Sequence, residues 1–213
     1  MRQLTGDTFI DRVPRWSPEG QWIAFFSNRT DPYVVWKIRP DGSDLMQATA
    51  EGAIYATWSP DGSRMAASTV ASETHPPATY IVDSAIPAPQ QRPEKLPPFR
   101  TFVVNSWSPD GEMLAGQTTL TASGIATYSF RTRTYDVLTD FGEFPVWLPD
   151  SRHLLFVSRG KEIILVDRQT KARRTIFTDT RNVLGPPQLT RDGRQMYLSR
   201  RITESDIWTI TFK

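Results

Sequence analysis

The sequence predicts an all-β fold, a β-propeller of five four-stranded antiparallel blades, with a truncated larger propeller as the alternative. Two observations predict it: a similar turn occurs five times, and each interval holds several short apolar segments. The intervals between the first residues of successive turns are 42, 49, 40 and 42 residues. A period near 42 is typical of radially repeated units. The turns begin at Trp16, Trp58, Trp107, Trp147 and Leu189.

The first interval shows why each repeat predicts four strands. A short strand ends at Trp16, and the turn that follows, Ser17–Gly20, has a proline at the position where a type I turn needs its fixed φ. Gly20 is expected to take the left-handed conformation that closes a bulged hairpin. The predicted strands of this unit are Val13–Trp16, Gln21–Ser27, Tyr33–Ile38 and the more polar Asp44–Thr49.

The later units repeat this order with variations. The further predicted strands are Ser63–Ser68, Thr79–Asp83, Glu112–Gly116, Ala126–Phe130, Thr134–Thr139, Arg152–Ser158, Glu162–Asp167, Arg173–Thr178, Gln195–Ser199 and Ser205–Phe212. The chain is therefore interpreted as one domain, 1–213, with blades near 6–49, 50–100, 101–139, 140–178 and 179–213. Residues 1–5 are expected to close the ring, with Arg2–Thr5 pairing beside Asp206–Phe212.

The sequence departs from the repeat pattern at three places. Seven prolines between Ala71 and Arg100 exclude an inner strand there and predict loops around the third and fourth strands of unit two. Ser151 stands where glycine is expected, which predicts a turn strained by roughly 1 kcal/mol. The turn of unit five, Thr190–Gly193, lacks the proline.

Composition narrows the function classes. The 213 residues are 38% hydrophobic with a formal net charge of +2 and no clear basic face, so a nucleic-acid partner is not supported. There is no cysteine, which excludes disulfides and thiolate sites. The sequence shows no signal peptide and no membrane-spanning stretch. The compartment stays unknown: cytoplasmic as written, periplasmic or extracytoplasmic if the chain was cut from a longer protein.

The repeated Trp-Ser-Pro-Asp-Gly turn, followed by an apolar strand as in Val13–Arg29, resembles the TolB-type (WD-like) β-propeller repeat over essentially the whole chain. The resemblance implies a rigid ring but no single function, because propellers host many activities. Similar arrays dock partner proteins, gate prolyl-oligopeptidase-like peptidases, or form sensory C-terminal regions of bacterial serine/threonine kinases and regulators. The ending Glu204–Trp208 resembles the last blade of the sensory arrays. The family usually has six or more blades, where five are counted here.

Catalytic motifs are not found. His75 and His153 belong to different repeats, and the sequence contains no nucleophile elbow, P-loop or zinc-protease motif. The recurring turn carboxylates are interpreted as turn formers rather than a ring of metal ligands. The repeated tryptophans are interpreted as core between blades. We therefore expect no catalytic residue, no metal site and no cofactor. The carboxylates are Glu19, Asp61, Asp110, Asp150 and Asp192.

The candidate binding residues lie on the loops that lead into each innermost strand, because these loops gather at one mouth of a propeller channel. Their mixed charge and aromatic character suits a peptide or a polar small molecule, and the alternative is ordinary solvated loops. The expected function is a non-catalytic interaction or sensory module that binds a protein, peptide or small ligand. The alternative is the propeller part of an enzyme, a peptidase gate or a cation-dependent hydrolase or lyase. The candidates are Asp11, Arg12, Arg15, Tyr55, Asn105, Glu143, Phe144, Arg181 and Asn182.

Overall fold

The computed structural model describes residues 3–50, 52–69, 77–99, 101–118, 124–190 and 192–201. Within them the chain is all β, apart from one 3-10 turn at Ala88–Gln90. Four antiparallel sheets follow one another along the chain, and the strand order within each sheet is the order in sequence. Blade 1 comprises β1 (Asp11–Trp16), β2 (Ile23–Ser27), β3 (Val34–Ile38) and β4 (Met46–Gln47).

Blades 2 to 4 have the same topology. Blade 2 comprises β5 (Tyr55–Trp58), β6 (Arg64–Ser68), β7 (Thr79–Asp83) and β8 (Glu94–Lys95). Blade 3 comprises β9 (Val103–Trp107), β10 (Met113–Gln117), β11 (Ile125–Ser129) and β12 (Thr134–Thr139). Blade 4 comprises β13 (Glu143–Trp147), β14 (His153–Ser158), β15 (Glu162–Asp167) and β16 (Arg173–Thr178). The second and third strands are almost wholly buried, whereas the outermost strand β16 is largely exposed.

The prediction of five four-stranded blades is wrong in number: the described residues form four. The fifth unit is a hairpin split into two short ladders, β17 (Val183–Leu184) with β20 (Arg200–Arg201), and β18 (Gln188–Leu189) with β19 (Met196–Tyr197). Pro186 and Pro187 separate the two ladders, because proline has no N–H to donate across a hairpin. The predicted third strand, Ser205–Phe212, lies outside the described residues.

The turns after the tryptophans have the predicted conformation. Gly20, Gly62, Gly111 and Gly193 all have positive φ, and the N–H of each donates to the carbonyl at the start of its turn. Ser151 has a φ of 52°, which confirms the predicted left-handed serine. Its hydroxyl accepts a hydrogen bond from the Asp110 N–H at 3.0 Å. The serine that strains one turn thus links it to the turn of the preceding blade.

The core lies in the seams between successive blades. Each seam tryptophan belongs to a core cluster with the blade before its own. Trp58 shares a cluster with Ala24 and Val35 of blade 1, and Trp147 shares one with Ala115 and Ile125 of blade 3. Trp58, Trp107 and Trp147 are 7%, 6% and 4% exposed, which confirms their prediction as core.

Trp16 departs from this pattern, and its prediction as core is wrong. Its side chain is 60% exposed. The residues that pack on this side of blade 1 are Leu4 and Trp36, which join a cluster of Ile23, Phe25 and Ile38. The described residues place no preceding blade against Trp16, and burial of the repeat tryptophan requires one.

The described part of the proline-rich stretch of unit two, 77–99, lies largely on loops around the third and fourth strands, as predicted. Its described part holds the 3-10 turn and the two-residue β8, whereas β7 has the predicted bounds Thr79–Asp83. The closing pair predicted between Arg2–Thr5 and Asp206–Phe212 lies largely outside the described residues. In the described part of the chain, no helix combines the length and apolar character needed to cross a membrane.

Candidate binding channel

The first strands of all five units surround a central cavity of about 710 Å³. This volume lies within the range of small-molecule and peptide pockets in proteins. The walls are mostly proline, aromatic and aliphatic side chains with a few polar groups. The lining residues are Val13, Pro14, Arg15, Trp16, Pro18, Thr57, Trp58, Asn105, Ser106, Trp107, Phe144, Pro145, Val146, Pro186, Pro187, Gln188 and Leu189.

One position of the repeat contributes to the wall in every unit. It is the residue immediately before the turn tryptophan or its leucine replacement, and it is Arg15, Thr57, Ser106, Val146 or Gln188. Successive side chains of a strand point to opposite faces. The tryptophan enters the seam in blades 2 to 4, so its predecessor faces the channel.

Three of these strands, β1, β9 and β13, are bulged where they meet the cavity, and in β9 the extra residue is Asn105. The pairing of β1 with β2 shifts register between Arg12 and Arg15, and that of β13 with β14 shifts between Glu143 and Val146. Val13 and Phe144 have φ values of 55° and 56°, which is rare for a β-branched or bulky residue. Bulges of this kind re-aim side chains and are enriched near binding and active sites.

Hydrogen bonds between neighbouring first strands hold the wall in place. The Trp58 indole N–H donates to the Arg15 carbonyl at 3.2 Å, and the Ser106 hydroxyl donates to the Pro145 carbonyl at 2.8 Å. The Phe144 N–H donates to the side-chain oxygen of Gln117 at 2.9 Å. The cavity is therefore bounded by braced strands rather than by free loops.

Two buried polar atoms of the wall have no hydrogen-bond partner among the described residues: Arg15 Nε and Asn105 Oδ1. Burial lowers the pKa of the Arg15 guanidinium below its ordinary value. Asn105 is 8% exposed. Both atoms have almost no accessible surface, so they lie behind the surface of the wall and do not face the interior of the cavity.

Of the nine residues predicted from the sequence, Arg15, Asn105 and Phe144 line this cavity. Tyr55 and Glu143 begin β5 and β13 and lie within electrostatic reach of each other. Burial, with a contribution from the negative charge of Glu143, raises the pKa of the Tyr55 phenol. These two residues lie outside the lining set.

Asp11 is held in an ion-pair cluster. Both of its carboxylate oxygens accept hydrogen bonds from Arg29, and the Arg29 guanidinium also binds Asp7. Burial opposes ionisation of Asp11, but the bonds from Arg29 and Ser27 outweigh it and lower the Asp11 pKa. Arg29 lies over the Phe9, Phe25 and Trp36 rings, so the cluster fixes the segment before β1 to blade 1. Arg12 is exposed on β1 and is not part of the lining.

Arg181 and Asn182 belong to a turn built on Asp179. The Asp179 carboxylate accepts the backbone N–H groups of both residues and the Asn182 side-chain amide. The Asn182 bonds are the main cause that lowers the Asp179 pKa to about 2. These two predicted residues therefore help to form a turn and do not line the cavity.

The turn aspartates behave as predicted. The Asp61 carboxylate accepts hydrogen bonds from Ser59 and from the Ser63 N–H and hydroxyl, and these lower its pKa to about 2.

The described histidine also belongs to a turn. His153 contacts its own turn, with 2.6 Å between its Nδ1 and Asp150 Oδ2. His75 lies outside the described residues. No group of three or more His, Asp or Glu side chains that could hold a metal ion occurs in the described parts of the chain.

Sequence reasoning missed most of the wall. Thr57, Ser106 and Gln188 are ordinary polar residues, and prediction from loops rather than strands passed over them. The signal was present: a residue next to a seam tryptophan must face the channel by strand alternation. The bulges at Val13 and Phe144 had a weaker signal, the proline that follows each of them.

No protein-family model matches the chain. An uncharacterized protein of Agrobacterium fabrum is 40% identical over 47 residues, which is 22% of this chain and 15% of that protein. The chain thus spans a small part of the curated relative it matches.

Solved structures show likeness over nearly the whole chain. A putative TolB from Agrobacterium tumefaciens superposes with a TM-score of 0.78 at 20% identity, covering 94% of this chain and 73% of that one. TolB from Acinetobacter baumannii gives 0.68 at 15% identity, covering 93% and 56%. An oligogalacturonate lyase in complex with manganese gives 0.62 at 13% identity, covering 89% and 58%. The chain has a TolB-like β-propeller fold, and it spans just over half the length of two of these three structures.

Proposed function

We propose that this chain is a non-catalytic binding propeller whose ligand, a protein segment, peptide or small molecule, occupies the central channel. The observation that carries the proposal is the braced cavity of about 710 Å³, whose wall combines aromatic and proline side chains with a few polar groups and one charged residue, Arg15.

The shape of the wall also supports binding. Trp16, Trp58, Trp107 and Phe144 offer rigid aromatic surface, and aromatic residues dominate binding hot spots. The prolines of the wall cannot donate hydrogen bonds and lose little freedom when a ligand packs on them. A sensory version of this function follows the likeness of Glu204–Trp208 to the last blade of sensory arrays.

The test is a screen of small molecules and short peptides against the whole chain by ligand-observed NMR, with a plugged channel as comparison. Gln188 lines the cavity, so Gln188→Trp should fill part of it and abolish the hits. Ile176 is 43% exposed on the outermost strand of blade 4, so Ile176→Trp adds the same bulk elsewhere and should leave the hits unchanged. Hits that survive Gln188→Trp, or no hits at all, would contradict channel binding.

The competing proposal is the propeller part of an enzyme. The lyase with manganese shares the fold, at an identity that carries no function. Titration with Mn²⁺, Ca²⁺ and Mg²⁺, followed by anomalous diffraction from soaked crystals, separates the two proposals. A tightly bound ion inside the channel favours the enzyme.

A further inference from the structure

The outer edge of blade 4 is formed by β16, and no described strand pairs with the outward side of this strand. β16 is six residues long and contains no proline, and all but one of its residues are exposed. Its exposed large apolar residue is Ile176, at 43%. An unpaired edge of this length presents a row of backbone N–H and C=O groups to which another strand can bind.

The outermost strands of the other described blades are shorter or partly covered. β4 and β8 have two residues each, so they offer little edge. β12 also has six residues, but the Lys171 ammonium of blade 4 donates to the Val137 carbonyl at 3.0 Å and to the Asp136 carboxylate at 2.7 Å. Among the four described blades, β16 therefore has the longest edge without such a cover.

The register of β15 with β16 shows which backbone groups of β16 face outward. The Asp167 N–H donates to the Ala172 carbonyl, so these two residues form a hydrogen-bonded pair of the hairpin. Hydrogen-bonded and non-hydrogen-bonded pairs alternate in an antiparallel ladder, and Thr175, opposite Ile164, belongs to a pair of the second kind. The N–H and C=O of Thr175 therefore point away from β15, and those of Arg173 have the same orientation.

The charge along this edge is positive. Arg173 and Arg174 are exposed, and β16 contains no acidic residue. Neither arginine has an ion-pair partner among the described residues, because Asp167, the carboxylate beside them, binds Arg152. Adjacent residues of a strand point to opposite faces, so a strand added at this edge would meet one arginine on each face.

A cavity of about 210 Å³ lies beside the two arginines. Leu165 and Ala172 give it an apolar part, next to the β16 edge. On the face of Arg174, an added strand would place one side chain opposite this arginine and, two residues along, another side chain over the cavity. The lining residues are His153, Leu165, Asp167, Ala172, Arg173 and Arg174.

We propose that the outer edge of β16 binds an extended acidic segment of a partner protein, which adds to blade 4 as a fifth strand. Adjacent acidic side chains of the segment pair with Arg173 and Arg174, and an apolar side chain occupies the cavity beside Ala172. A second copy of β16 would bring no negative charge to either arginine, so the charges that oppose self-pairing favour an acidic segment. This surface is separate from the channel, and the inference goes beyond the proposed channel function.

The experiment titrates the ¹⁵N-labelled whole chain with acetyl-Thr-Val-Glu-Glu-Val-Thr-Val-amide, and with the same peptide carrying two lysines in place of the glutamates. The acidic peptide should bind about tenfold more tightly, since each exposed ion pair is worth a few-fold and each like-charge pair subtracts a similar factor. Binding should slow hydrogen exchange of the Arg173 and Thr175 amides by at least about tenfold, because an added strand protects them. The Arg174 amide, which already faces β15, should stay unchanged.

Three variants test the edge and its charge. Thr175→Pro removes an outward N–H and leaves the ladder with β15 intact, so it should abolish binding, whereas Thr175→Val keeps the N–H and should retain it. Arg173→Glu/Arg174→Glu should reverse the preference towards the lysine peptide, a test that holds even if Thr175→Pro fails to fold. The matched control is Arg131→Glu/Arg194→Glu, which changes the net charge equally in turns of blade 3 and unit five and should keep the acidic preference.

Gln188→Trp should leave this binding unchanged, so acidic strand peptides are assayed apart from the channel screen. Protection of the Arg173 and Thr175 amides without peptide, rising with protein concentration, would show that a second copy occupies the edge and would overturn the inference. Equal binding of the two peptides, binding that leaves both amides unprotected, or no binding of either peptide would overturn it as well.

Discussion

The seam between blades 2 and 3 and the uncovered side of blade 1 carry the same Trp-Ser-Pro motif, but the tryptophan is buried in the first and exposed in the second. Trp107 is 6% exposed and belongs to a buried cluster with Ala66 and Ile81 of the preceding blade. Trp16 begins the same kind of turn and is 60% exposed. The comparison teaches that the motif specifies the hairpin, whereas burial of its tryptophan depends on the neighbouring blade.

The largest expected effect is loss of a covered tryptophan. Trp107→Ala should lower the free energy of unfolding by about 3–5 kcal/mol, since it leaves a cavity in a filled seam. Urea denaturation followed by circular dichroism measures it. A loss below about 1 kcal/mol, typical of surface positions, would show that Trp107 is not buried in the seam in solution.

Two glycine-to-alanine variants compare how tightly the seam and the turns are packed. A Cβ on Gly142, whose φ is +107°, would lie 2.4 Å from the Phe156 ring in the seam between blades 3 and 4. Gly142→Ala should cost about 2–4 kcal/mol, from overpacking and backbone strain together.

Gly111 is the matched control, because it has a φ of +78° and nothing within 4 Å of its added Cβ. Gly111→Ala should cost only about 1 kcal/mol. Equal losses for the two variants would show that the seam is no tighter than the turns.

Trp16→Ala is the direct counterpart of Trp107→Ala. Its cost should stay under about 1 kcal/mol, because most of the ring is already in water. The same urea series measures it. A loss as large as that of Trp107→Ala would mean that this face is covered in solution.

The smallest expected effect is a change in the acid stability of one turn of the repeated type, the Asp61 turn of blade 2. The folded pKa of Asp61 is about 2, below its ordinary 3.8, so the unfolded chain binds more protons between these values. The contribution of the Asp61 carboxylate to the free energy of unfolding is present above about pH 4 and is lost as the pH falls towards 2. Unfolding free energies measured across that range should fall less steeply for Asp61→Asn. An unchanged slope would show that the Ser59 and Ser63 bonds do not act in solution.

Sequence predicted the repeat well because its signals are local. The turn proline and glycine, and strands such as Glu162–Asp167, depend on neighbours in the chain. The features that the sequence did not predict depend on tertiary contacts. Pro186 and Pro187 interrupt a hairpin only once the two strands are paired, and Trp16 is exposed only because of what lies beside blade 1. Likewise, the sequence predicts Asp11 as a binding residue, and only the folded chain shows that Arg29 binds its carboxylate.

The channel wall was predictable in part. Arg15, Asn105 and Phe144 were identified through their place near the innermost strands. Arg181 and Asn182 were not excluded, because the turn around Asp179 depends on side-chain geometry that no spacing reveals. The distinction between a paired arginine and an unpaired one, Arg29 against Arg15, also required the structure.

The central claim is that ligand enters the channel, and tryptophan indole N–H signals test it most directly. Trp16, Trp58 and Trp107 line the cavity, whereas Trp22, Trp36 and Trp147 lie outside the lining. In a ¹H–¹⁵N spectrum of the whole chain titrated with a hit from the screen of small molecules and peptides, the indole signals of the first three should shift and those of the second three should stay. Shifts confined to Trp22, Trp36 or Trp147 would contradict the claim.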